Sequence, residues 1–154
     1  MSEANKEIVR RYQDAYNTDN LDLLDELLAP DWKTNAWPEG VPQSIEAAKE
    51  VYRGVRQSFP DVQFITEQLI AEGDWVVQRH LFRGTFENEL AGVPPTGKLI
   101  ELQGVSLFRV VGGRITEHWG FADDAGFWHQ CGVEVPEIML AFAHRSQHPG
   151  DEAR

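Results

Sequence analysis

The stretch from Lys98 to Gly132 constrains the fold more than any other part of the chain. From Leu99 to Val110 the residues divide by strict alternation. Ile100, Leu102, Gly104, Ser106 and Phe108 form one face, and Leu99, Glu101, Gln103, Val105, Leu107 and Arg109 form the other. A period of two is the signature of a β-strand, and since neither face is purely polar, cover on both sides is expected. Gly112-Gly113 supplies the positive φ of a tight hairpin, so a second strand runs from Arg114 to about Phe121. Its alternation sets Ile115, Glu117, Trp119 and Phe121 against Thr116, His118, Gly120 and Ala122. The second set is small apart from one imidazole, which suits either a pocket wall or a tight packing surface.

The remaining elements follow from periodicity and punctuation. Ile8, Val9, Tyr12, Ala15 and Tyr16 recur at helical spacing, predicting a helix over Glu3–Tyr16. A shorter helix carries Leu21, Leu24, Leu27 and Leu28 and stops at Ala29-Pro30. The segment from Asp31 to Gly40, with Trp32 and Trp37, lacks periodicity and reads as irregular, its indoles covering the core or lining a cavity. Ser44 caps a third helix whose buried side is Ile45, Ala48, Val51, Tyr52, Val55 and Phe59, with Pro60 as its stop. A hairpin follows, with strands around Phe64 and over Trp75–Phe86 joined at Glu72-Gly73-Asp74; Val76, Gln78, His80 and Phe82 share one face. Asp123 or Asp124 caps a helix through Trp128 that ends at Gly132, and Pro136 opens a last helix with Ile138, Met139, Phe142 and Ala143 on its apolar side. The expectation is one α+β domain over residues 1–146 and a polar tail over 147–154, with helices on one side of a curved sheet.

Composition excludes several functions. A formal charge of -11 with no basic run argues against nucleic acid or an anionic membrane as partner. No segment reaches the roughly 20 apolar residues of a membrane span, so a cytoplasmic protein is expected. Cys131 is the single cysteine, so the chain holds no internal disulfide or Cys-based metal site. The histidines lack compact ligand spacing, so no metal is expected either.

Several short motifs, in one order across residues 8–132, carry a resemblance. They are Tyr16-Asn17-Thr18, Leu24-Asp25-Glu26-Leu27-Leu28-Ala29-Pro30-Asp31, Phe59-Pro60-Asp61, Ile70-Ala71-Glu72-Gly73-Asp74-Trp75-Val76-Val77, Gly92-Val93-Pro94-Pro95-Thr96-Gly97, and Phe108-Arg109 followed by Gly113-Arg114-Ile115-Thr116-Glu117-His118-Trp119. With them the chain resembles the SnoaL-like polyketide cyclases, within the nuclear transport factor 2-like superfamily that includes ketosteroid isomerase. The resemblance implies a cone-shaped fold, a long bent antiparallel sheet wrapped around the N-terminal helices, with an apolar pocket at one end and a homodimer formed through the sheet. The final helix lies outside it. In those cyclases an Asp just after the His-Trp pair is the general acid and base of an intramolecular aldol closure; here that position is Gly120. A Gln and a His on the preceding strand correspond to Gly104 and Ser106.

On this footing His118 is the candidate acid or base, because an imidazole with a pKa near 6.5 suits proton transfer at neutral pH. The competing role is a histidine hydrogen-bonded within the sheet. His80 is a possible second group, and Asp123 either orients an imidazole or only caps its helix. Tyr16, Asn35, Trp37, Phe82, Ser106, Gly120 and Trp128 are expected at the substrate, with Thr34 competing with Asn35 for the place of a family Asn. Trp119 and Phe121 face away and are candidates for the dimer interface. The expectation is a cofactor-independent cyclase, isomerase or lyase acting on a hydrophobic small molecule. The alternative is a non-catalytic ligand-binding or dimerisation module of the same fold.

Overall fold

In a computed structural model that describes residues 2–139, four long antiparallel strands and one shorter parallel edge strand make one sheet, and its inner face carries the helices. Helix α1 (Ser2–Asn17) buries Val9, Tyr12, Gln13 and Ala15, the stripe its sequence repeats. A 3₁₀ turn (Leu21–Leu23) and one turn of α2 (Leu24–Leu27) follow. Helix α3 (Ile45–Ser58) starts where the Ser44 hydroxyl accepts the Ala47 N–H at 3.1 Å. Its buried side is narrower than the periodicity suggests: Val51 is exposed, while the stem of Lys49 is buried and its Nζ reaches Asp25 at 2.8 Å.

Strands β2 (Gln63–Glu72), β3 (Trp75–Thr85), β4 (Leu99–Val111) and β5 (Arg114–Ala122) pair antiparallel in sequence order. Helix α4 (Asp124–Gln130) closes behind them. On β4 the inward set is Ile100, Gly104, Ser106, Phe108 and Val110, as the alternation requires. The outer face is not covered by the described residues. Val105 is 42% exposed and Phe121 61%, with Trp119 and Leu99 alongside, so the described residues cover one face only.

Two further expectations are corrected. Residues 28–34 are neither the end of a helix nor irregular: Leu28–Thr34 is an edge strand, β1, lying parallel to β5. Pro30 has no N–H to give a ladder, which an edge strand tolerates, and the register slips between Leu28 and Lys33. Trp32 holds the strand down, its indole fully buried and edge-on to Trp37 at 5.3 Å. The second correction is on β5, where Val110 pairs with Ile115 but Arg109 pairs with Glu117. Thr116 is therefore the extra residue of a bulge, and its hydroxyl donates to the Arg109 carbonyl at 3.3 Å. The bulge turns Ile115 into the core together with His118, rather than outward with Glu117 and Trp119.

Two buried clusters result. One gathers α1, α2, β1 and the ends of β4 and β5 around Tyr12, Leu24, Trp32, Phe108 and Ile115; the other gathers Phe59, Val62, Phe82, Phe86, Ile100 and Cys131. No helix among the described residues is long and apolar enough to cross a membrane. The last helix expected from Pro136 lies, with Phe142, Ala143 and the tail, largely outside the described residues.

Candidate active site

Strand register builds the site. Across β3, β4 and β5, His80 pairs with Gly104 and Gly104 with Ala122; Gln78 pairs with Ser106 and Ser106 with Gly120; Phe108 pairs with His118. On the parallel edge, Thr34 lies beside His118. The small residues Gly104, Ser106, Gly120 and Ala122 leave a hollow in the inner face, and a cavity of about 750 Å³ opens over it. His80, His118, Asn35, Trp37, Phe82, Ser106, Gly120 and Trp128 all border it. Phe59, Phe64, Leu102 and Phe127 complete the apolar lining; each lies in an apolar stretch whose sequence signal was that of core. Asp124 borders the cavity as well, which its place in the first turn of α4 did not announce.

His118 is gripped from both sides. Its Nδ1 lies 3.0 Å from the Thr34 hydroxyl and its Nε2 3.2 Å from the Ser106 hydroxyl, and its ring stacks on Phe108 at 4.8 Å. Burial drives its pKa down to about 4, with the neighbouring His80 adding to the fall. His80 is also lowered by burial, against the opposing pull of the Gln78 backbone and the Glu67 carboxylate. Its ring needs a glycine beneath it, for a Cβ on Gly104 would lie 2.8 Å from His80 Nε2. Two uncharged imidazoles in an apolar wall follow at neutral pH.

The edge strand fastens this wall. Thr34 Oγ1 accepts the Ala36 N–H at 3.0 Å, Asn35 N–H donates to the His118 carbonyl at 3.1 Å, and Asn35 Oδ1 accepts the Gly120 N–H at 2.9 Å. A Cβ on Gly120 would come within 3.0 Å of the Ala36 methyl. Chain from β1 thus crowds the place where a longer side chain at position 120 would begin. Thr34 and Asn35, alternatives in sequence, both take part.

Two of the residues singled out from the sequence lie apart from this constellation. Asp123 turns its carboxylate onto the Gly126 N–H at 3.0 Å and caps α4. Tyr16 donates its hydroxyl to Tyr12 at 2.7 Å and stacks on Tyr52 at 4.1 Å within the core. Burial raises the Tyr12 phenol to about 12 and holds the Tyr16 phenol well above its ordinary value, so neither gives up a proton readily. Among the described residues, no three of His, Cys, Asp and Glu gather in a way that would hold a metal ion.

Comparison with known proteins bears on the same region. The profile of the SnoaL-like polyketide cyclases matches residues 6–131. Nogalonic acid methyl ester cyclase of Streptomyces nogalater is 31% identical over 125 residues, covering 80% of this chain and 93% of that protein. The aklanonic acid methyl ester cyclase AcmA of Streptomyces galilaeus is 28% identical, covering 84% and 91%. Among solved structures, IdmH from Streptomyces antibioticus superposes with a TM-score of 0.73 at 32% identity, over 84% of this chain and 99% of that one.

Proposed function

Because this chain belongs to the SnoaL-like polyketide cyclase family, we propose that it is an enzyme that rearranges a hydrophobic carbonyl compound by proton transfer, with His118 as the base and no cofactor. The observation that carries this is the imidazole itself, uncharged, held at Nδ1 by Thr34 and presenting Nε2 to an apolar cavity beside Ser106. Thr34 Oγ1 accepts the Ala36 N–H and has a lone pair left for a proton on His118 Nδ1, the tautomer in which the Nε2 lone pair faces the Ser106 hydroxyl and the cavity, where substrate displaces Ser106.

In ring closure, Nε2 removes a proton from the carbon beside a carbonyl. The resulting enolate attacks a second carbonyl of the same molecule, and His118 returns the proton to the new alkoxide. Atoms balance, so the product is an isomer of the substrate. A base whose conjugate acid has a pKa near 4 is a weak one. It suits a carbon made acidic by two carbonyls better than a simple ketone. Ser106 and His80 border the same cavity and would donate to the enolate oxygen. Isomerisation or elimination would use the same first step.

The lining supports a neutral substrate. Its volume lies within the range of small-molecule sites, and no Lys or Arg among the described residues borders it. A free carboxylate would lose its water there without gaining a cation, whereas an ester loses little. The two relatives above are named for methyl esters. Incubation with nogalonic acid methyl ester, followed by chromatography with mass detection, tests the proposal. A product of unchanged mass and new retention is expected. Ester that binds stoichiometrically and is recovered intact would overturn the catalytic reading in favour of a binding module.

A further inference from the structure

We propose that the cavity at Ser106 is also an acyl-transfer site, in which Ser106 attacks the carbonyl carbon of a hydrophobic carboxylic ester. The proposal rests on the ring-closing reading for its base, His118, held by Thr34, and differs in making Ser106 a nucleophile and Asn35 a donor.

The first observation is a hydroxyl, an imidazole and a second hydroxyl in hydrogen-bonded series. Ser106 Oγ is 3.2 Å from His118 Nε2, and His118 Nδ1 is 3.0 Å from Thr34 Oγ1. That is the order of a nucleophile, its base and the group that orients the base. Ser106 is buried in the cavity wall, and no other side chain among the described residues bonds its hydroxyl.

The second observation is a donor for the carbonyl oxygen. Gly120 lies opposite Ser106 in the ladder, and its N–H is taken by Asn35 Oδ1 at 2.9 Å. That bond fixes which way the Asn35 amide faces, because only its oxygen can accept. Its Nδ2 hydrogens remain, and no acceptor among the described residues takes them. Asn35 borders the same cavity as Ser106 and His118.

The step is as follows. Ser106 Oγ bonds to the carbonyl carbon while its proton passes to His118 Nε2, and the carbonyl electron pair moves onto the oxygen facing the Asn35 amide. Collapse breaks the bond to the alkoxy oxygen, which leaves with the proton from His118 as an alcohol. Water then repeats the sequence on the acyl-serine, regenerating Ser106 and releasing the acid. The balance is ester plus water giving acid plus alcohol.

The test uses the full chain with p-nitrophenyl butyrate, reading p-nitrophenolate release and the intact protein mass. A butyryl adduct mapped to the peptide containing Ser106 is expected. Hydrolysis should fall to background in Ser106→Ala and His118→Ala, and by about 10²–10³-fold in Asn35→Ala, as for loss of one oxyanion donor. Ser106→Cys keeps a nucleophile of similar size, so it should fold and carry the adduct as a thioester. No adduct on either the native protein or Ser106→Cys, or hydrolysis unchanged in Ser106→Ala, would overturn the proposal. The same preparation is assayed for ring closure of nogalonic acid methyl ester. Ring closure without acylation removes this proposal alone, and acylation without ring closure removes the other alone.

Discussion

Replacing His118 by alanine is expected to lower kcat/KM for ring closure of a methyl ester substrate by about 10²–10⁴-fold, the usual worth of one positioned acid or base. That corresponds to roughly 3–5 kcal/mol of transition-state stabilisation. Besides His118, His80 and Asp124 are the titratable groups among the described residues that border the cavity, and neither is held between Thr34 and Ser106 as His118 is. His80 lies across Gly104, Asp123 is turned onto the Gly126 N–H, and the Tyr12 and Tyr16 phenols are held above their ordinary pKa. The pH profile carries a second signature. Burial holds the folded-state pKa of His118 near 4, so the basic form is fully present at neutral pH. Turnover should climb as pH rises through about 4 and stay level to neutrality; with an ordinary histidine the climb would sit near 6.5. Stability moves in the same window. The unfolded chain protonates its histidine below about 6.5 while the folded one resists until about 4, so acidification between those values favours unfolding. Chromatographic turnover of native protein and His118→Ala at several pH values checks both, and equal rates in the two proteins would remove His118 from the mechanism.

Trp32→Ala should destabilise the fold by about 3–5 kcal/mol, the range for truncating a large buried aromatic. The indole is 1% exposed and packs edge-on to Trp37, and its Nε1 meets no partner among the described residues, so the loss is one of packing. Its position magnifies the effect. Strand β1 is an edge strand with a broken register, so few ladder bonds hold it apart from this side chain. Thr34 and Asn35 follow within three residues, and both touch the site. A lower urea midpoint with an unchanged slope, together with reduced turnover in protein that remains folded, is the expected result. A change in stability below about 1 kcal/mol would mean that β1 is held by something other than Trp32.

Strands β3 and β4 were legible because alternation is local: Val76, Gln78, His80 and Phe82, and Ile100, Gly104, Ser106 and Phe108, fall on the inner face where their spacing puts them. The helix caps at Ser44 and Asp123 were legible for the same reason, since a capping side chain reaches only to its own first turn. What escaped depends on partners distant in sequence. A segment carrying Pro30 and Trp32 gives no sign that it will pair in parallel with a strand more than eighty residues later. The bulge at Thr116 adds one residue without changing the composition of β5, so Ile115 was assigned to the wrong face. His118, Ser106 and Gly120 could be placed on neighbouring strands from alternation and the turn. The Thr34–His118 contact and the approach of Ala36 to Gly120 required β1 to be in place. The motifs shared with the cyclases identified the fold.

His118 is expected to sit uncharged in an apolar wall, with Nδ1–H on Thr34 and Nε2 facing Ser106 and the cavity. A nuclear magnetic resonance titration of the ¹⁵N-labelled imidazole reads charge and tautomer together. A midpoint near 4, with the proton on Nδ1 above it, is the predicted result. A midpoint at or above 6.5, or a proton resident on Nε2, would contradict it.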